Sequence, residues 1–513
     1  MKLSEPVFWE TGQERCWTEQ IDALVHRYRQ QGRSVGLSAT PTPATRVPEQ
    51  PMGIEDYLGR LAEDGLAEAA CMHHPRCLGH MTSPLPVFMP QLSRLVTSFN
   101  QNLMKTESSG GLTALERNTL IMLHRTVFDL DEQSYHKMST DSQSTPGLIT
   151  SGGTLANLTA MWCARKRGFT DQGTWWRQLH EQGYTDAVIL GSRLMHYSFD
   201  KAMDLLGLSS NALLKIDVDA HGAMRLDQLD IALATCRSQR RKVLAIVGIA
   251  GSTDFGSIDP LQELACRART EGAHFHVDAA WGGPFLFSHT HAQLLAGIEQ
   301  ADTVTLDAHK QLLTPLGTGI LLYRNSDLSR MLLSTAPYAV RSGSRDSGRF
   351  TLEGSRPANA IYLHAALHLI GGDGFGRYID DSFERARALA HRIKVRPDME
   401  LLQEPPTNLV VFRYLPRRFR HARAIRQDPE INTLNVRLHK LLRHSGTSFL
   451  SRTERVLPGQ ATPACVMLRA VMFNPLCRIE DIDPILDEVV ACGMQLEEQG
   501  FEKEKSVEHV QNS

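Results

Sequence analysis

An α/β architecture is predicted for this chain: a large domain on a mostly parallel sheet, followed by a smaller α+β domain. Three observations carry the prediction. Between Gly147 and about Tyr323, short runs rich in β-branched and aliphatic residues alternate with helical stretches; the runs are Gly147–Thr150, Ala187–Leu190, Val243–Val247, His274–Val277 and Val304–Leu306. That is the pattern of strands joined by crossover helices. Ahead of this region the apolar residues recur at helical spacing, and beyond Pro357 long helices with two separate strands replace the alternation.

Taken in order, the first fifty or so residues are polar and end in the Pro-rich run Thr40–Pro48, a short helix followed by an irregular connector. Helices are predicted near Ile54–Ala70, Val87–Lys105 and Leu112–Phe128, the last with Leu115, Met122 and Leu123 on its apolar side. After the α/β region come helices near Ala358–Gly371 and Gly374–Lys394, strand Asn408–Tyr414, a helix near Asn432–Leu442, strand Val466–Phe473 and helix Ile479–Glu498. The stretch Glu502–Ser506 reads as a solvated, frayed end. The expected division is an N-terminal helical segment (1–110), a large domain (111–372) and a small C-terminal domain (373–513). No internal repeat or low-complexity tract interrupts it.

Composition narrows the class. With 42% hydrophobic and 22% charged residues and a net charge of −2, the chain reads as a globular protein with no charge bias towards nucleic acid or an anionic membrane. Nine cysteines stand without a CxxC pair or a zinc spacing, which suits reduced thiols in the cytoplasm and no metal site. The start, Met-Lys-Leu-Ser-Glu-Pro, has no apolar core of a signal peptide, and no run is long enough to span a bilayer.

Four motifs carry chemistry. Ser151-Gly-Gly-Thr154 lies between a strand and a helix, where glycines let the backbone approach an anion and helix amides supply donors; a plain Thr-capped turn is the bland alternative. His196 follows the strand Ala187–Leu190, where an imidazole can stack on a flat heteroaromatic ring; a structural histidine is the alternative. Asp278 ends the buried strand His274–Val277, where a carboxylate needs a cationic partner. A protonated pyridine nitrogen is such a partner and makes the ring an electron sink; a helix-capping Asp is the alternative. Small Ala279 and Ala280 leave room for the ring. Lys310 follows the strand Val304–Leu306, and as a neutral amine it can form a Schiff base with a carbonyl cofactor; alone, it reads as a solvated strand end. The four together, in this order on one α/β domain, point to pyridoxal 5′-phosphate.

With these motifs the chain resembles the group II pyridoxal-phosphate-dependent amino-acid decarboxylases, from about His73 to Gly493. The resemblance rests on His74-Pro-Arg76, Ser151-Gly-Gly-Thr154 with Asn157, His196-Tyr-Ser198 with Lys201, and Gly251-Ser-Thr253. It continues through His276-Val-Asp-Ala-Ala280, Asp307-Ala-His-Lys310, Gly317-Thr-Gly319, Leu468-Arg469 and Asn474-Pro475. Asp307–Gly319 and Thr351–Pro357 are most similar to the bacterial aspartate 1-decarboxylases, which supply β-alanine for pantothenate. The resemblance implies an aspartate-aminotransferase-like fold (fold type I) and a homodimer with a shared active site. It implies that Lys310 binds the cofactor's carbonyl, His196 stacks on its ring, Asp278 pairs with its nitrogen and Ala280 packs beneath. Gly153, Thr154 and His309 would hold the phosphate, Ser252 and Thr253 would line the site, and Gly354 and Ser355 would reach the neighbouring subunit's phosphate.

The expected activity is α-decarboxylation of a small acidic amino acid, foremost L-aspartate, with glutamate, cysteine sulfinate or 2,4-diaminobutyrate as alternative substrates. A non-catalytic binding protein on the same fold is the alternative of another class; the presence of both Lys310 and Asp278 weighs against it. Tyr338, at the head of the Gly- and Ser-rich stretch 338–349, is the candidate donor of the Cα proton from a mobile lid. Arg469 matches the arginine that binds the distal carboxylate in glutamate decarboxylases; a structural salt bridge is the alternative. His80 stands where those enzymes carry Gln, which points to a different side chain being read. Arg341, Arg345 and Arg349 are further candidates for attracting an acidic substrate.

Overall fold

The structure is a computed structural model that describes residues 14–30, 34, 46–47, 49–66, 69–169, 174–336, 340–341, 343–420, 428–456 and 464–511. Its centre is a seven-stranded sheet of β1 (Gly147–Thr150), β2 (Asp186–Ser192), β3 (Leu213–Ile216), β4 (Arg241–Ile249), β5 (His274–Asp278), β6 (Thr303–Asp307) and β7 (Gly319–Tyr323). The order across the sheet is β1-β7-β6-β5-β4-β2-β3. Strands β3, β2, β4, β5 and β6 pair in parallel, while β7 is antiparallel to both β6 and β1. The sheet is therefore mixed. The short link between β6 and β7 holds the Lys310 turn and has no room for a crossover helix, so the chain returns antiparallel.

Alternate residues of these strands serve different cores, because side chains leave a strand on opposite faces. Val188, Leu190, Ile246, Ile320 and Leu322 pack with the helices Gly111–Phe128, Leu226–Ser238 and Leu261–Glu271. Ala187, Ile189, Ala245, Val247 and Leu321 pack with the helices Gly153–Gly168 and Ser198–Leu205. A sheet covered on both faces reads as apolar runs rather than strict alternation, which is why β4 and β5 stand out in the sequence.

A second, four-stranded antiparallel sheet follows, with β8 (Met399–Leu401), β9 (Leu409–Tyr414), β10 (Ser451–Arg455) and β11 (Cys465–Val471) in the order β10-β11-β9-β8. The helices Gly371–Lys394, Pro429–Ser445 and Ile482–Gln511 supply residues to its own apolar core, among them Leu389, Leu438 and Leu486. The edge strands β8 and β10 escape prediction because they are short and carry Glu400, Arg452 and Glu454.

Helix ends differ from expectation where the backbone turns locally. The helix expected to reach Ala70 stops at Asp64 before Gly65, and that expected to reach Lys105 stops at Phe99, where Asn100 adopts φ 45°. At the C-terminus the helix continues to Gln511 instead of fraying at Glu502, through good helix formers such as Glu and Lys. Among the described residues no helix is long and apolar enough to cross a membrane.

Candidate active site

Five strand ends deliver the site. β1 leads into Ser151-Gly-Gly-Thr154, β2 towards His196, β4 into Gly251-Ser-Thr253, β5 ends at Asp278, and β6 ends at Asp307 just before Lys310. Ligands of such sheets sit outside the carboxyl ends of the strands. A cleft of about 660 Å³ opens there, lined by residues of all five segments and by His80.

The turn after β1 is shaped by close approach. Its helix starts at Gly153, and a Cβ on Gly153 would lie 2.8 Å from Asp307 Oδ2. A Cβ on Gly319 would lie 2.4–2.8 Å from the backbone of Gly152. No side chain fits at Gly319 without moving backbone, and one at Gly153 would push the Asp307 carboxylate aside. Thr154 and the first amides of the helix face the cleft, giving an anion cradle at the positive end of a helix dipole. His309 stands beside it, its Nδ1 3.3 Å from Thr318 O.

Lys310 and Asp278 carry the charge pattern. Lys310 Nζ lies 3.0 Å from Asp307 Oδ2. Asp278 is buried, accepts from Asn157 Nδ2 at 2.9 Å and from the Ala280 amide at 3.1 Å, and has no cationic side chain within ion-pair distance among the described residues. A buried carboxylate with no cation beside it among the described residues can take one that a ligand brings. The imidazole of His196 lines the same cleft and takes the Ser198 amide on Nδ1 at 3.2 Å. Burial, and after it the charge of Lys310, hold it below the usual imidazole range against the pull of Asp278. An anion cradle, an amine, a flat imidazole and an unpaired buried carboxylate around one cleft fit pyridoxal 5′-phosphate.

Ser252, Thr253, Ala280, His309 and His80 line the cleft as expected from the sequence. The Ser252 hydroxyl is 2.7 Å from that of Ser257. His80 is exposed at the mouth with Nδ1 3.0 Å from Thr82 Oγ1, and desolvation on its cleft side followed by the charges of Arg469 and Lys310 lowers its pKa. Arg469 is one step behind the wall. Its Nε donates to Ser451 Oγ at 2.9 Å, and its two terminal nitrogens donate to the carbonyls of Thr253 and Gly79. No carboxylate lies within ion-pair distance of it among the described residues, and burial lowers its pKa.

Other expected site residues lie apart. Gly354 and Ser355 are exposed and do not line this chain's cleft; Ser355 Oγ accepts from Asn102 Nδ2 at 3.0 Å. Tyr338 lies outside the described residues. Arg341 is exposed near Glu107, and Arg345 borders a separate small cavity. Arg349 is buried, its guanidinium bound to the carbonyls of Ser142 and Ser344 and to Gln143 Oε1, so it ties the loop down rather than meeting a substrate. Asp307 and Asn157 stand in motifs of the sequence, but neither gives a local sign of its contact, Asp307 with Lys310 Nζ and Asn157 with Asp278 from a strand far along the chain.

Similarity to known proteins agrees with this geometry. Residues 46–415 match the pyridoxal-dependent decarboxylase conserved domain. An aspartate 1-decarboxylase of Aliivibrio fischeri is 37% identical over 458 residues, covering 86% of this chain and 84% of that protein. An L-2,4-diaminobutyrate decarboxylase of Rhizobium meliloti is 29% identical, covering 88% and 84%. The crystal structure of mouse CSAD has the same fold, with a TM-score of 0.82 at 23% identity over 94% of this chain and 99% of that one. The chain belongs to the pyridoxal-dependent decarboxylase family and is a pyridoxal 5′-phosphate-dependent amino-acid decarboxylase.

Proposed function

We propose that this enzyme removes the α-carboxylate of L-aspartate, giving β-alanine and CO2 and so a precursor of pantothenate. The observation that carries the reading is the Arg469 guanidinium, buried behind Thr253 and Gly79 with no carboxylate within ion-pair distance among the described residues, its charge acting on His80 at the cleft. Three of its five N–H groups bind protein oxygens, so two remain for a short acidic side chain. The 37% identity to an aspartate 1-decarboxylase supports the same choice. A diaminobutyrate side chain would bring an ammonium towards this guanidinium, a like-charge contact that disfavours it.

Bound pyridoxal 5′-phosphate supplies a carbonyl that condenses with amines and a ring that accepts the electron pair left as CO2 departs. Lys310 would hold that carbonyl, and the Asp307 carboxylate 3.0 Å from its Nζ positions the amine for it. Asp278 would face the ring nitrogen and His196 would cover the ring, since both line the cleft. Gly153, Thr154 and His309 would surround the phosphate, with Ser252, Thr253 and Ala280 completing the wall. In a homodimer Gly354 and Ser355 would reach the partner's phosphate, and Tyr338 would be the residue to return a proton to Cα. The setting is the cytoplasm.

The test is a substrate panel of aspartate, glutamate, cysteine sulfinate and 2,4-diaminobutyrate, scored for CO2 release and amine product. Aspartate giving β-alanine with the highest kcat/KM is the expected result; no β-alanine sinks the substrate choice and leaves the family unaffected.

A further inference from the structure

Behind Asp278 runs a line of buried polar side chains to which none of the roles above extends. Asn157 Nδ2 donates to Asp278 Oδ2 at 2.9 Å and to Ser198 Oγ at 3.1 Å. Its Oδ1 is 3.1 Å from His276 Nε2, His276 Nδ1 is 2.9 Å from Thr303 Oγ1, and the same hydroxyl is 2.7 Å from His274 Nε2. All of them are buried. His276 and Thr303 sit opposite each other on the neighbouring strands β5 and β6.

We infer that His274, Thr303, His276 and Asn157 form a positioning relay that holds Asp278 as an oriented, ionised acceptor for the cofactor's ring nitrogen. The direction of every hydrogen follows from the carboxylate. An ionised carboxylate only accepts, so Asn157 must turn its amide nitrogen towards it. The Asn157 carbonyl then faces His276 Nε2, which must carry the proton. His276 Nδ1 is therefore the acceptor and takes the Thr303 hydroxyl hydrogen. The lone pair of that hydroxyl takes the N–H of His274 Nε2. The remaining nitrogen of His274, Nδ1, has no hydrogen-bond partner and lies 3.9 Å from Asp302 Oδ2.

Every donor in the line points towards Asp278. Protonating that carboxyl so that it donates to Asn157 would force the amide, both imidazole tautomers and the hydroxyl to reverse together. Charge on Asp278 is thus supported by neutral donors, which polarise one another in a low-dielectric interior. An arginine in their place would pair with Asp278 and displace the ring nitrogen. Burial keeps both imidazoles neutral, as this role needs: it depresses His274 to about 4 and His276 to about 3.

The relay rests on the cofactor assignment and not on the choice of substrate, so it is tested without substrate. Apoprotein is titrated with pyridoxal 5′-phosphate, and the visible band of the reconstituted protein is recorded. Thr303→Val keeps the shape but breaks the line; it should weaken cofactor binding about tenfold, the order seen when a group that orients a ligand is lost, and shift the band. His276→Phe should do the same or more, while His276→Gln, whose amide N–H can replace that of Nε2, should recover most of the affinity. Melting curves of the apoproteins identify any variant that fails to fold, in which case Thr303→Val decides alone. Unchanged affinity and band in Thr303→Val overturn the relay, as do equal losses in the folded Gln and Phe variants, since those would mark simple packing.

Discussion

At the scale of single residues, charge placement decides what the site can do. Asp278 is buried and has no cation within ion-pair distance among the described residues, and its two oxygens are aimed by Asn157 and the Ala280 amide. Removing its charge while keeping its shape, as in Asp278→Asn, should lower kcat by about 10²–10³, the cost of losing one preorganised electrostatic group. Single-turnover kinetics on the reconstituted variant checks this; a loss under tenfold would speak against its pairing with the ring. In the proposed aspartate reading, Arg469 is the corresponding residue for the substrate's far end. Arg469→Lys keeps the charge and loses the planar fork, so KM for aspartate should rise about tenfold with kcat changed less. Equal KM for variant and parent would remove Arg469 from recognition.

At the scale of elements, the site depends on how closely strands approach the first turn of the helix Gly153–Gly168. β7 starts against that turn, so any Cβ on Gly319 meets the backbone of Gly152 at 2.4–2.8 Å. Gly319→Ala should therefore weaken cofactor binding at least tenfold and destabilise the protein by about 1–3 kcal/mol, the usual cost of overpacking. Fluorescence titration and denaturant melts read both effects, and wild-type values in both would show that the cradle can yield. This element was legible in part. The Ser151-Gly-Gly-Thr154 motif and the strand ahead of it are local signals, whereas the approach of β7 depends on a pairing between distant segments. The antiparallel direction of β7 and the polar edge strands β8 and β10 were lost for the same reason: their partners, not their own residues, make them strands.

At the scale of the whole molecule, buried titratable groups set the response to pH. Burial lowers His124, His274 and His276 to about 4, 4 and 3. Unfolded imidazoles bind protons near pH 6.5, so below that the unfolded state holds more protons than the folded one. The stability these residues provide at pH 7 is lost as pH falls from 6.5 towards 4, by up to about 1.4 kcal/mol per pH unit for each. Asp259 acts the other way. Burial raises it to about 7, so the folded state binds the extra proton and its contribution declines as pH rises from about 4 to 7. Three imidazoles outweigh one carboxyl. The calorimetric Tm of the apoprotein should fall between pH 7 and pH 5, and His124→Gln, remote from the cleft, should roughly halve that slope. A flat profile would contradict the burial argument. The ion pair of Arg356 with Glu116, 2.9 Å long and buried, links the segment before Pro357 to the helix Gly111–Phe128. Arg356→Met should cost about 3–5 kcal/mol in denaturant melts, because it strands a buried carboxylate.

By itself the sequence determined the α/β class, the strands that are buried on both faces, and the motifs at Ser151–Thr154, His196, Asp278 and Lys310 that line one cleft. These are local properties: hydrophobic runs, turn glycines, and charged groups at strand ends. Only the tertiary structure decided that Asn157 and His276 stand behind Asp278, that Asp307 holds Lys310, that Arg349 is structural, and that Arg469 waits behind the cleft wall. Each of these depends on a contact between residues far apart in the chain, and hydrogen-bond partners are chosen by packing of the whole fold rather than by neighbours in sequence.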